Sequence, residues 1–322
     1  MRVVFAGSPA IAVPSLELLA REDEIKLAGV ITNPDAPRGR DGTPQPTETG
    51  RAALKILQES GGRGRGFFPI LKPVKLDAQA REDVAALNPD LLVSFAYGRF
   101  FGPKFLALFP LGGINIHPSL LPKYRGPTPI QAAILNRDSV TGITIQKLTQ
   151  EIDSGDILAA RQLQLTGRET TGSLSEIAGE QAALILPEAL EKIKAGEKGV
   201  MQDRGGVSYC PLISKDDGII NWKAGALEIE AKIRAYDPWP LARTIHKGRD
   251  LFILKADVFK NEAGYPKGES GVVLGIDKQN GILVQTGDGI LAVTHLQYSG
   301  KKALFWQDFI NGARDFPGSI LG

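Results

Sequence analysis

Cysteine is all but missing from this chain. Cys210 is the single one in 322 residues, so no intrachain disulfide can close and no thiolate metal centre can be assembled. Histidine is nearly as scarce, at positions 117, 246 and 295 only. That removes the material for a His-rich metal site, and no metal is expected. No apolar run approaches the ~20 residues that span a bilayer, so no membrane partner is expected. The opening Met1-Arg2-Val3-Val4-Phe5-Ala6-Gly7 reads as a short buried strand running straight into a loop, without the apolar region and cleavage site of a secretion signal. A cytoplasmic location is expected. An excess of one charge is lacking too: 38 basic residues face 36 acidic ones. The balance holds along the chain, with 14 Lys/Arg against 13 Asp/Glu from Val207 onward and 24 against 23 before it. Any nucleic-acid contact must therefore come from local patches rather than net charge. Finally, no G-x-G-x-x-G follows the first strand and no Walker A sequence occurs anywhere, which argues against bound NAD or a nucleoside triphosphate.

What the chain does have is length for two domains and a pattern that changes along it. Arg2 to Ala6 reads as a strand, the stretch through Leu16, Leu18 and Leu19 as an amphipathic helix, and Ile25 to Thr32 as a second strand, which implies a parallel, twisted sheet. Asp90 to Ala96 is the continuously apolar kind of strand that parallel sheets bury, and it ends at Tyr97-Gly98. Helices are predicted over Arg51–Glu59, Ala78–Leu87 and Ser173–Lys194. Asn33 to Pro46, rich in Pro, Gly, Asp and Arg, is too long and polar for a simple connection and reads as a functional loop. Gly62 to Gly66 reads as a solvated loop. Gly196 to Gly206 is punctuated like a linker. Beyond it the period shortens: after one helix at Ala226–Tyr236, hairpin signals at Lys247-Gly248, Asn280-Gly281 and Asp288-Gly289 imply a small β barrel.

The most informative run is Gly112 to Gln131. In Ile114-Asn115-Ile116-His117 apolar and polar residues alternate, so Asn115 and His117 share one face of a strand while the isoleucines pack on the other. Pro118 stops the strand, and the prolines and Gly126 that follow force a shaped loop. A second strand, Gly142 to Gln146, leads to the turn Asp153-Ser154-Gly155-Asp156. An acid in such a turn beside a strand-end His and Asn is a usable catalytic grouping. Asp156 itself reads as closing its own turn, and His246 and His295 as structural.

Asn115-x-His117, then Ser119-Leu120-Leu121-Pro122-x-x-Arg125-Gly126, then Asp153-x-Gly155-Asp156 resembles the folate-dependent formyltransferase superfamily. The likeness extends through Phe5-Ala6-Gly7-Ser8-Pro9, Phe95-Ala96-Tyr97-Gly98, Arg234-Ala235-Tyr236-Asp237-Pro238-Trp239-Pro240, Gly287-Asp288-Gly289-Ile290-Leu291 and Gly300-Lys301-Lys302, and so covers nearly the whole chain. It implies an α/β protein: a Rossmann-like parallel-sheet formyltransferase domain over residues 1–196, a linker at 197–206, and an open β barrel of oligonucleotide-binding type at 207–322. It also implies the chemistry. A formyl group would pass from 10-formyltetrahydrofolate to the α-amino group of methionine carried by initiator tRNA, in a monomer. Asn115 and His117 would polarise the formyl oxygen, and Asp153 would orient His117, favour its protonated form, or relay the amine proton through water. The folate would lie across Ser119, Leu120, Leu121 and Pro122 and reach the backbone at Tyr97 and Gly98. Arg38 and Arg40 are implied as contacts to tRNA phosphate, although many relatives carry a lysine pair where Asp41 and Gly42 stand here, and Lys301 and Lys302 as further ones. Sugar-amine N-formyltransferases share Asn115, His117 and Asp153, so these three residues leave the acceptor open, as they do a hydrolase of the same folate. Asp237-Pro238-Trp239-Pro240 and the full-length likeness favour the tRNA acceptor.

Overall fold

The computed structural model describes residues 1–37, 42–59, 67–260, 264 and 268–322. Arg38, Arg40 and the Gly62 to Gly66 stretch lie outside the described residues. The chain divides into two compact units. The first comprises Met1–Pro129, Val140–Gln164 and Ser175–Pro211, and the second Ile130–Ser139, Leu165–Leu174 and Leu212–Gly322.

In the first unit seven strands form one sheet, in the order Ile70–Leu71, Lys26–Ile31, Arg2–Gly7, Leu91–Phe95, Gly113–His117, Val140–Lys147, Ile157–Gln164. The first five run parallel, as the apolar runs predict, and Leu91–Phe95 is buried along its whole length. The last two depart from the expectation of a parallel sheet. Val140–Lys147 is antiparallel to Gly113–His117, and Ile157–Gln164 is antiparallel to Val140–Lys147. The connection 148–156 is too short to cross over the sheet, which a parallel return requires. Among the helices, Ala78–Ala85 starts where the Asp77 carboxylate accepts the Ala80 N–H at 3.1 Å, an N-cap that satisfies one otherwise orphaned donor. The core behind the parallel strands joins Val4, Ala6, Ile31 and Leu92 to a ladder of rings. Tyr97, Phe101, Phe105 and Phe109 follow one another at centroid separations of 5.5, 5.3 and 5.9 Å.

The second unit is an antiparallel sheet, ordered Ala242–His246, Arg249–Phe259, Ile290–Tyr298, Gly281–Gln285, Val273–Asp277, with Leu304–Phe305 added beside Ile290–Tyr298. The three hairpin signals all join paired strands. The sheet packs with helix Ala226–Ala235 around Trp222, Ile229, Leu251, Ile253, Val293 and Trp306. Buried Trp222 gives its indole N–H to Thr244 Oγ1 at 2.9 Å, so the ring is held at no cost of an unpaired donor. Among the described residues no helix is long and apolar enough to cross a membrane.

Candidate active site

Four elements of the first unit bring the polar groups together. Strand Gly113–His117 supplies Asn115 and His117 on the face opposite Ile114 and Ile116, which are buried. The neighbouring strand places Gln146 directly across from Asn115 and Thr144 across from His117. The loop after Val140–Lys147 folds back, so that Asp153 reaches the same face. Its carboxylate is held from three sides: Gln146 Nε2 donates to Oδ1 at 2.9 Å, the Gly126 N–H donates to Oδ2 at 2.8 Å, and Asn115 Nδ2 stands 3.4 Å from Oδ1. This return bend depends on Gly155. A Cβ there would lie 1.8 Å from the Lys147 carbonyl oxygen, so no other residue fits without moving backbone.

His117 is 3 % exposed. Its Nε2 lies 2.8 Å from the Tyr124 carbonyl. A carbonyl only accepts, so in the neutral imidazole Nε2 carries the hydrogen and Nδ1 presents a lone pair. Nδ1 stands 3.6 Å from Asp153 Oδ2, beyond a direct hydrogen bond. Burial holds the imidazole below its ordinary titration range, while the Asp153 charge and the Tyr124 carbonyl pull the other way. Asp153 thus pulls toward the protonated form, in the expected direction, while burial is the larger effect. The same geometry alters the expected role of His117. Its one N–H is committed to Tyr124, so the neutral ring offers Nδ1 as a proton acceptor, and Asn115 is the side chain left with an N–H to spare.

The residues expected to contact folate divide into those that face outward and those that build the loop. Ser119 is wholly buried, and its hydroxyl donates to the Lys123 carbonyl at 2.6 Å. Thr144 Oγ1 donates to the Ser119 carbonyl at 2.7 Å and receives the Leu121 N–H at 3.1 Å. Those backbone groups are therefore spent within the loop, while Leu120 and Pro122 remain half-buried. Tyr97 is 1 % exposed, in the aromatic ladder, with its hydroxyl unpartnered. Ala96 and Gly98 on either side of it are exposed, and both have left-handed backbone, at φ 51° and 79°. Lys301 and Lys302 are exposed on a turn of the second unit. The described residues contain no group of three or more His, Cys, Asp and Glu side chains that could hold a metal ion.

Three participants have no role assigned from the sequence, although Arg125 stands in the Ser119 to Gly126 motif. Arg125 is buried and donates from Nε and Nη2 to Gln202 Oε1 at 3.1 and 2.8 Å, with Glu151 3.3 Å from Nη1. Gln146 holds Asp153 on one side and accepts the Gly155 N–H through Oε1 at 3.1 Å on the other. Gln202 comes from the segment that reads as a linker. Arg125 carried the motif as a signal, and Gln146 its register with Asn115 once the two strands are paired; Gln202 carried none.

A mixed α/β sheet sets half-buried Asn115 and Asp153 beside buried His117 at a shaped Pro/Gly loop, and an antiparallel β unit follows it in the chain. Residues 1–190 match the model of the formyl transferase family and residues 212–314 that of the formyl transferase C-terminal domain; the chain belongs to this family. It is 47% identical over 320 residues to the methionyl-tRNA formyltransferase of Treponema denticola, covering 98% of each chain. Among solved structures, the methionyl-tRNA formyltransferase from Clostridium thermocellum superposes with a TM-score of 0.54 at 18% identity, over 81% of this chain and 95% of that one. HypX from Aquifex aeolicus in complex with tetrahydrofolic acid superposes with a TM-score of 0.62 at 18% identity, over 96% of this chain. The chain spans 47% of the length of HypX. At these identities the two structures speak for the fold alone.

Proposed function

We propose that this protein transfers the formyl group of 10-formyltetrahydrofolate to the α-amino group of methionyl initiator tRNA, giving N-formylmethionyl-tRNA for translation initiation. The observation that carries the reading is the grouping of Asn115, His117 and Asp153 on one sheet face. The full-length likeness to relatives named for that reaction supports the acceptor. The residues at the strand ends suit a folate. Exposed Ala96 and Gly98 present main chain rather than side chain, and the space a Cβ would take at Gly98 is open. Leu120 and Pro122 would lie along the folate. Ser119 and Leu121 would shape that wall, and Tyr97 would support it from beneath. When bound, the folate supplies an activated formyl carbon.

The chain's own residues would act as follows. Attack of an amine on a formyl carbon builds negative charge on the formyl oxygen, and a preorganised donor at that oxygen is worth about 2.7–4 kcal/mol. Asn115 supplies such a donor from Nδ2. The amine gives up a proton as it bonds, and His117 Nδ1 is the acceptor aimed into the site. Asp153 stabilises the resulting imidazolium, whose Nε2–H stays on the Tyr124 carbonyl; when the tetrahedral adduct collapses, the bond from the formyl carbon to the folate nitrogen breaks and that nitrogen leaves with the proton returned from His117 Nδ1. Residues 1–196 carry this chemistry, 197–206 link the two parts, and the sheet over 207–322 holds tRNA. Lys301, Lys302, Arg38 and Arg40 contact its phosphates, in a monomer working in the cytoplasm.

The test is to incubate the purified protein with the folate donor and either charged initiator tRNA or a nucleotide-linked amino sugar. Formylation of the tRNA alone is the expected result. Formylation of the sugar amine alone overturns the acceptor, and release of formate without an acceptor makes the protein a hydrolase.

A further inference from the structure

Gln202 is a polar side chain buried to 6 % exposure in a segment that carries no family catalytic residue. The segment is laid against the first unit: Val200 bridges Ile157, and Tyr209 bridges Arg125. The Gln202 amide fills the space between these two bridges. Its Nε2 lies 2.9 Å from the Asp153 carbonyl, 2.8 Å from the Gly155 carbonyl and 3.1 Å from Gln146 Oε1. Its Oε1 accepts the Arg125 guanidinium from two nitrogens. Chemistry fixes this orientation, since the reverse would set an oxygen against two carbonyls and an NH2 against a cation.

The Asp153 backbone needs holding. Its φ of +52° is left-handed, a conformation that a non-glycine residue keeps only when its surroundings impose it. The Gln202 NH2 ties down the carbonyls on both sides of Ser154, and Gln146 ties down the carboxylate above. We infer that Gln202 is a positioning residue: by donating to the Asp153 and Gly155 carbonyls it fixes the bend that brings the Asp153 carboxylate to His117. The inference rests on the proposed roles of Asp153 and His117. A competing role for Gln202 is only to satisfy buried Arg125, and the two roles separate by charge. Glutamate at 202 pairs with Arg125 at least as well but turns an acceptor toward both carbonyls.

The experiment compares Gln202→Glu and Gln202→Met with wild type in three measurements: melting, kcat and KM for each substrate, and the imidazole titration of His117 by NMR. With three histidines in the chain, the His117 signal is assigned by its loss in His117→Ala. The expected result is a cooperative melt for both variants, kcat reduced about tenfold or more with either KM within about twofold, and a His117 titration displaced from wild type. A Gln202→Glu protein with wild-type kcat and an unmoved His117 titration overturns the inference and leaves Gln202 as a partner of Arg125. Should Gln202→Glu fail to melt cooperatively, Gln202→Met, matched in length and without charge, decides by the same two readouts. If wild type forms no formyl product with any amine, the functional reading fails, and the His117 titration alone then decides whether Gln202 sets the Asp153 bend.

Discussion

By any coarse measure His117, from the first unit, and His246, from the other, are the same kind of residue. They are 3 % and 4 % exposed, and burial holds both below the ordinary imidazole range. Their neighbours differ. Around His117 every polar group has a further polar group behind it: Asp153 has Gln146 and Gly126, and Gln146 has Gln202 and Gly155. His246 has the Tyr298 hydroxyl 2.5 Å from Nδ1, the Phe316 ring in a T-shaped contact with centroids 4.7 Å apart, and an Nε2 with no partner. Beyond it stand Lys247 and Arg249, which disfavour a proton on the ring, and Asp315, which favours one. A buried imidazole with a depressed titration is therefore no mark of a site. The mark is a carboxylate within reach that is itself held, because proton transfer needs the charged form to be stabilised as soon as it appears.

Five variants test the contrast. The largest effect belongs to Asn115→Ala and His117→Ala, each expected to lower kcat about a hundredfold or more with tRNA affinity nearly unchanged. Steady-state kinetics beside filter binding reads both; wild-type turnover in His117→Ala would place His117 with His246 as a core residue, and in Asn115→Ala would remove Asn115 from the donor role. Asp153→Asn comes next. It keeps the shape and removes the charge, so kcat should drop about tenfold to a hundredfold and the His117 titration should move lower still, as loss of an opposing carboxylate requires.

Smaller is the effect of His246→Phe, for which turnover should stay within about twofold and only the pH dependence of stability should change. The unfolded chain protonates this histidine near about pH 6.5, while the folded chain does so lower. Between those values the unfolded state holds more protons, so stability falls as pH drops below about 6.5. His246→Phe removes its share, and melting temperatures measured from neutral to mildly acid pH should decline less steeply than in wild type. The smallest effect is reserved for Lys301→Gln with Lys302→Gln on their exposed turn. These should leave kcat alone and reduce the salt slope of tRNA binding by about one for each phosphate that is no longer neutralised. An unaltered slope would make the turn plain solvated surface.

What could be read from the chain follows from how far each signal travels along it. Asn115 and His117 are two residues apart on a strand, and the period of two puts them on one face wherever that strand goes. The three hairpins announce themselves through adjacent residues, as at Asn280-Gly281. Asp153 was legible only because its turn has a pattern of its own. The direction of the last two strands of the first sheet was not, because apolar alternation is the same read either way. The net titration of His117 also stayed hidden. It depends on how much burial outweighs one carboxylate, and that is a property of packing. Gln202 is the clearest case. A single glutamine among glycines and charges reads as solvated, and nothing near it in the chain shows that an arginine 77 residues away supplies its partner.

The strand-like seating of residues 200–210 has a bearing on how the protein is made and cut. The Arg125 N–H binds the Ser208 carbonyl, the Arg125 carbonyl receives the Cys210 N–H, and the Tyr124 N–H binds the Ser208 hydroxyl. On the ribosome, the loop that follows His117 is thus left open through the synthesis of some eighty further residues, and its shape is completed only when the 200–210 segment emerges. A fragment ending at 196 contains Asn115, His117 and Asp153, yet it strands the Arg125 guanidinium without its main acceptor and the Asp153 bend without its clasp. Its inactivity would say nothing about the sheet of the second unit. A fragment carried through Pro211 keeps the clasp and lacks only the Leu212–Gly322 part of the second unit, so its behaviour reports what those residues contribute.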